Sequence, residues 1–265
     1  MKHLIPILLY HSVTGTPARG LERFTVRPDQ FAAHLDHLID DDRTVLPLGE
    51  IAEHLRSGTP LPEGAVAVTF DDGLADFAEH AWPELRSRGM PSTLYAVAGY
   101  LGDRSRWLDG PAAESPMLSA GQLSALADGG VEIGAHSMTH PQLDLLPRAR
   151  AQREIADSKD ALEQILGRPV TTFAYPHGHH TRAVKDLVVE AGYTSAAAVR
   201  DMFSHDRDDV FAIARLTITD ATTNEDLGRL LQGRGARPAP RRQLVRTRLG
   251  RQVRRLRQTP SRSDR

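Results

Sequence analysis

The chain has no cysteine among its 265 residues. Disulfide frameworks and thiolate metal sites are thereby excluded, and a transition metal would have to be held by His, Asp or Glu. No apolar run approaches the ~20 residues of a membrane-spanning helix. The first apolar run, "MKHLIPILLYHSV", is not expected to be a secretion signal: it is interrupted by Pro6, meets Tyr10, His11 and Ser12 at once, and has no small-residue cleavage site after it. It reads as a first strand. Internal repeats are absent, and the one biased segment is the end of the chain. Residues 234–265 carry twelve arginines against a single acid, Asp264, a charge of +11. The chain's total of −1 therefore leaves −12 on residues 1–233. An acidic body that carries no nucleic-acid-binding motif argues against a nucleic-acid partner.

What is present is an alternation. Apolar runs of strand length at 5–10, 65–70, 92–101, 131–137, 170–176, 194–199 and 211–219 are separated by helical patterns at 27–41, 48–58, 77–89, 119–130, 148–167, 182–193 and 224–233. Residues 44–48 read as a short strand or extended turn. About seven βα units in one domain, residues 1–233, imply a parallel sheet closed as a barrel. In such barrels the polar residues at the C-terminal ends of the strands build the active site.

Four strand ends carry chemistry. "ILLY" ends in His11, "AVAVTF" in Asp71 and Asp72, "VEIGA" in "HSMTH", and "TTFAY" in "PHG". His136 and His140, four residues apart, can face one metal ion, and one carboxylate would complete a set of three protein ligands. Two surface histidines are the plain alternative. Asp71 and Asp72 repel each other unless they do different work, one on a cation and the other free to take a proton from water. An Asp–Asp–Gly surface turn is the plain alternative there.

The ordered series "TFDDG" (69–73), "HSMTH" (136–140) and "FAYPHG" (173–178) resembles the polysaccharide deacetylases, the NodB-like group or carbohydrate esterase family 4. "PILLYHSV", "MLSAGQLSALADGGVEIGAHSMTHP" and "IARLTIT" extend the resemblance over roughly residues 3–220. It implies a distorted (β/α)7 barrel and metal-dependent removal of N-acetyl groups from N-acetylglucosamine-type sugars, in a polysaccharide or a lipid-linked glycan. It implies Asp71 as general base and Asp72, His136 and His140 as ligands of Zn2+ or another divalent transition metal. The N-terminal "YH" resembles the poly-N-acetylglucosamine deacetylase branch and so points to His11 as the general acid; His205, in a polar, loop-like stretch, is its competitor. "FAYPHG" implies a groove wall of Tyr175, Pro176 and His177, with the His177 N–H toward the oxyanion. The arginine that many relatives place in this motif is missing, and Arg215 is expected either to steady the base from a neighbouring strand end or to form a structural salt bridge. Trp107 is expected to stack on a sugar face or to pack. Rival readings are an amide hydrolase of the same fold acting on a small non-sugar substrate, and an inactive glycan-binding protein.

The segment 241–258 places Leu249, Val253 and Leu256 on one helical face among arginines, with Val245 a turn earlier. A basic amphipathic helix of this kind suits an anionic membrane surface, with a disordered tail or a partner-binding arm as alternatives. With no signal peptide recognised, the expectation is a cytoplasmic enzyme at the inner membrane face.

Overall fold

A computed structural model describes residues 4–240. Seven strands form one all-parallel sheet: β1 (Ile7–Tyr10), β2 (Ala67–Phe70), β3 (Thr93–Ala96), β4 (Glu132–Ala135), β5 (Thr172–Ala174), β6 (Ser195–Ala197) and β7 (Leu216–Thr217). Their spatial order is β7-β1-β2-β3-β4-β5-β6, so each strand lies beside its predecessor and β7 returns to β1. Between them run α1 (Pro28–Asp40), α2 (Leu48–Ser57), α3 (Trp82–Ser87), α4 (Ala120–Asp128), α5 (Arg148–Leu166) and α6 (Arg182–Glu190), with α7 (Asn224–Leu231) last. The expected distorted (β/α)7 barrel is the fold observed.

Strand alternation sorts the core into two layers. Leu8, Tyr10, Val68, Phe70, Leu94 and Phe173 point outward and pack with Phe31, Leu35, Leu123 and Ile155 of the helices. Ile7, Ala67, Tyr95, Ala174, Ala197 and Ile213 meet on the other side and fill the barrel interior, with Leu48 and Ile51 of α2 closing its lower end.

The expected strand 211–219 is broken because it changes neighbours. Ile213 bridges Ala197 of β6, whereas Leu216 and Thr217 pair with Leu8 and Leu9 of β1. This handover closes the ring. The expected strand 92–101 stops at Ala96, where the chain turns so that the Ala98 and Gly99 N–H groups reach the Ser137 and Met138 carbonyls. Pro83 sits at the second position of α3 and lacks an N–H, and the turn before it, Phe77–Ala81, widens to π-helical hydrogen bonding.

One small sheet escaped the sequence pattern. Met202–His205 pairs antiparallel with Leu4–Ile5 and parallel with Arg237–Pro238 beneath the barrel. The stretch read as loop-like is therefore a strand, and His205 lies at the end opposite the C-terminal strand ends. Its Nε2 donates to the Ala239 carbonyl (2.9 Å) and its Nδ1 accepts from the Arg207 N–H (3.1 Å). Both nitrogens are occupied, so it does not compete with His11 as an acid. The packed body also runs past the expected boundary at 233, since Ala239 is buried and bonds Phe203. The amphipathic segment 241–258 lies outside the described residues.

Candidate active site

At β1, β2 and β4 the inward face of the barrel continues one residue past the strand, and those residues form much of the site. Ala67 and Thr69 point inward, and Asp71 follows with the same parity. Ile7 leads to His11 in the same way and Gly134 to His136, while Arg215, ahead of β7, shares the inward parity of Ile213. Asp72 has the opposite parity and would point out among the helices. A left-handed backbone, φ 77°, turns it back. Gly73 follows at φ 79°, where a Cβ would stand 3.3 Å from the Ala96 Cα, so the turn needs glycine after the second aspartate. The turn is tied down by the Asp71 N–H to the Tyr10 carbonyl (3.1 Å) and the Val97 N–H to the Asp72 carbonyl (3.3 Å).

Asp72 is one of six non-glycine residues at positive φ among the described residues, and Ser137, His140 and His177 are three more. Each such residue costs about 1–3 kcal/mol and persists where surrounding structure over-determines it, commonly at functional sites.

The two carboxylates are held differently. Arg215, fully buried, forks Asp71: Nη1 donates to Oδ1 and Nη2 to Oδ2, both at 2.7 Å. The guanidinium does not come from a strand end, as the sequence suggested. Arg215 precedes β7 and reaches up through the barrel interior, over the Tyr95 ring (5.3 Å) and past the Ala198 carbonyl and Thr69. Burial alone would raise the Asp71 pKa; the Arg215 charge, His136 and the guanidinium hydrogen bonds outweigh it and hold the carboxyl below its ordinary range. Asp72 also feels burial upward, but the close approach of His140, with His11 and His136 near by, drives it far down.

Asp72, His136 and His140 offer ligand atoms within 4.8 Å of one another, all buried. The protonation of His136 fits a cation. His136 Nδ1 donates to the Ala174 carbonyl (2.8 Å), which fixes the proton there and leaves Nε2 with a lone pair. Burial pushes this imidazole down to about 4, Asp71 opposing, so it is neutral near pH 7. Its Nε2 lone pair then faces carboxylate oxygens of Asp72 at 3.6 Å and Asp71 at 3.7 Å. Acceptors facing acceptors are repulsive, and a divalent ion between them would reverse the sign. Asp72 Oδ1 has no hydrogen-bond partner of acceptable geometry, although His140 Nε2 stands 3.3 Å away.

These groups open into a cavity of about 330 Å³ lined also by His11, Phe24, Trp107, His177 and Val199. That is the small end of the ~300–1,000 Å³ range for ligand pockets. Buried polar atoms without partners gather here: His11 Nδ1, Trp107 Nε1 and His140 Nδ1 besides Asp72 Oδ1. A larger cavity of about 470 Å³ lies at the other end of the barrel, between Leu4, His54, Leu61 and Asp206, and none of the strand-end residues of the site line it.

Of the expected groove wall, only His177 lines the cavity. Its ring sits edge-on to His140, centroids 4.7 Å apart, on a backbone at φ 57°. The Tyr175 side chain does not face the cavity: it shares the outward parity of Phe173, is fully buried, and donates its hydroxyl to the Phe211 carbonyl (2.9 Å). Pro176 is buried beside it. Trp107 both packs and lines, stacked on Tyr100 (5.5 Å) and over against His140 (5.0 Å).

Asp76 was not singled out in the sequence. It accepts the Ser12 hydroxyl on Oδ2 (2.5 Å) and the Val13 N–H, fixing the backbone directly after His11. Burial pushes its carboxyl up to about 7, against these hydrogen bonds. A raised carboxyl contributes its stability below pH 4 and loses it as pH rises through 7. Asp76→Asn removes the ionisable group and keeps an acceptor. The variant should therefore gain on wild type in thermal melts from pH 4 to pH 8, by a few kcal/mol at most; a pH-independent difference contradicts this.

The family model for polysaccharide deacetylases matches residues 58–196. YxkH of Bacillus subtilis is 24% identical over 229 residues, 86% of this chain and 76% of the relative. A poly-beta-1,6-N-acetyl-D-glucosamine N-deacetylase of Staphylococcus aureus is 22% identical over 213 residues, 77% of this chain and 71% of the relative. Among solved structures, the deacetylase PplD of Streptococcus pyogenes in complex with acetate superposes with a TM-score of 0.75 at 22% identity, covering 88% of this chain and 98% of that one. IcaB of Ammonifex degensii gives 0.75 at 24% identity, covering 86% and 97%. At these identities the superpositions establish the shared fold.

Proposed function

Because the chain belongs to the polysaccharide deacetylase family, we propose that it hydrolyses the N-acetyl group of N-acetylglucosamine-type sugars in a polysaccharide or lipid-linked glycan. The observation that carries the reading is the division of the carboxylate pair: Asp71 is forked by an arginine, and Asp72 is turned toward two histidines. Asp72, His136 and His140 would hold the metal, Zn2+ or another divalent transition ion. Bound there, it would act as a Lewis acid toward the acetamide carbonyl and make water more acidic.

The chain's own groups do the proton work. Asp71, oriented through both oxygens, still has a free lone pair on each and takes a proton from the attacking water. Arg215 keeps Asp71 ionised inside a buried site. The new C–O bond forms at the acetyl carbon, and the main-chain N–H of His177 is the donor we assign to the oxyanion. His11 gives a proton to the departing nitrogen as the C–N bond breaks, leaving acetate and a free amine. Trp107 supplies the wall on which a sugar ring rests.

Acetate release by zinc-loaded protein tests this, with N-acetylglucosamine oligomers and nucleotide- and lipid-linked N-acetyl sugars as substrates. Release from at least one sugar is expected. No release from protein that demonstrably holds zinc, together with turnover of small cyclic imides, would move the assignment to a non-sugar amidase.

A further inference from the structure

We propose that Glu154, on α5, positions the loop that carries His140 and thereby sets how tightly the chain holds its metal. The inference rests on the three-residue ligand set proposed above. The loop between His136 and His140 is contorted: Ser137 and His140 both lie at left-handed φ, 65° and 58°. A loop in that state keeps its shape only if its neighbours impose it.

Glu154 provides three acceptors to two consecutive residues. Its Oε2 accepts the Thr139 N–H (2.8 Å), its Oε1 accepts the Thr139 hydroxyl (2.7 Å), and its main-chain carbonyl accepts the Met138 N–H (3.1 Å). The other face of the loop rests on β3's exit, where the Ala98 and Gly99 N–H groups bond the Ser137 and Met138 carbonyls. A Cβ on Gly99 would stand 2.5 Å from the Met138 oxygen, so the two segments are in close contact. His140 itself donates its N–H to Ser137 Oγ (3.0 Å). The loop is thus gripped from both sides, and Glu154 is the side that comes from a helix.

The residue type supports a dedicated role. Glu154 falls in the buried stripe of α5, with Ala151, Ile155, Ser158 and Leu162. It is buried, and no ion pair involves it among the described residues. An apolar residue would fill that place without desolvating a charge. A carboxylate is what accepts two donors side by side. Glutamine has one acceptor oxygen for the Thr139 N–H and would have to meet the hydroxyl with its NH2, which reverses that bond's direction and leaves it between two neutral groups.

The test is zinc affinity, measured by competition with a chromophoric chelator, with circular dichroism of the zinc-free proteins as the folding check. Glu154→Ala should bind zinc about 10–100-fold more weakly than wild type, the range found when groups supporting metal ligands are removed. Glu154→Gln should fall between the two. If Glu154→Ala melts at a lower temperature yet binds zinc as tightly as wild type, Glu154 is only structural and the inference is overturned. Should Glu154→Ala not fold, Thr139→Val decides, because it removes one of the three hydrogen bonds and keeps the main-chain pair: several-fold weaker binding is expected, and unchanged affinity overturns the inference. A wild-type chain that binds no zinc would overturn the ligand set itself, and this inference with it.

Discussion

Asp71→Asn should reduce kcat/KM by about 10²–10⁴-fold, the usual contribution of a general base, while the protein keeps its zinc. The two halves of that result have different causes. Asparagine cannot take a proton from water. Its single oxygen can accept one of the two Arg215 N–H groups, and its NH2 would face the other, donor against donor. The proposed ligand set does not include residue 71: Asp72, His136 and His140 bring their ligand atoms together without it. Asp72→Asn should do the reverse and release zinc, because it removes the anionic ligand. Acetate assays paired with metal content, run on both variants, separate the roles. An Asp71→Asn protein that retains zinc and near wild-type turnover shows that the base lies elsewhere. One that loses zinc shows that the two aspartates share the metal, in place of the division argued here.

Much of the site could be read from the sequence because a barrel writes its active site in a simple way. His11, Asp71 and His136 each directly follow a strand and share the inward parity of residues within it, so an apolar run ending in a polar residue is enough to find them. Asp72 breaks parity, and only the glycine after it betrays the left-handed turn that brings it back. Tyr175 follows the opposite rule to the groove wall expected of it: it shares the parity of Phe173, and both pack against the helices. Arg215 could be found but not placed. Its parity with Ile213 puts it inside the barrel, yet the length of its reach, from below β7 to a carboxylate at the top of β2, depends on the tilt of strands that one chain segment does not reveal. Glu154 left one trace, a charge in the buried stripe of a helix. Its partner, Thr139, is fifteen residues earlier in the chain, and no local spacing connects them. The small lower sheet was missed for the same reason: its three two- to four-residue strands come from both ends of the described chain and from residues 202–205.

Arg215→Met is the substitution with the largest expected effect on stability. Both residues of the pair are buried, Arg215 fully so. Breaking such a pair from one side costs about 3–5 kcal/mol, because the remaining charge is left in a low-dielectric interior without compensation. Methionine fills much of the volume over Tyr95, so the loss would come chiefly from Asp71. The pH dependence identifies that source. In the wild type Asp71 is held below its ordinary pKa, so its contribution is present above about pH 4, the unfolded value, and lost as pH falls through the native one. In the variant, burial acts unopposed by the guanidinium and favours the protonated acid. The difference in melting temperature between wild type and Arg215→Met should therefore be widest at pH 7–8 and narrow toward pH 4, where the carboxyl is protonated at little cost in the variant. Arg215→Lys should recover part of the stability, since an ammonium can meet one carboxylate oxygen but not both at once in the forked geometry. A difference that stays constant between pH 4 and pH 8 would mean that the loss comes from packing over Tyr95 and the Ala198 carbonyl, and that the guanidinium is not what keeps Asp71 ionised.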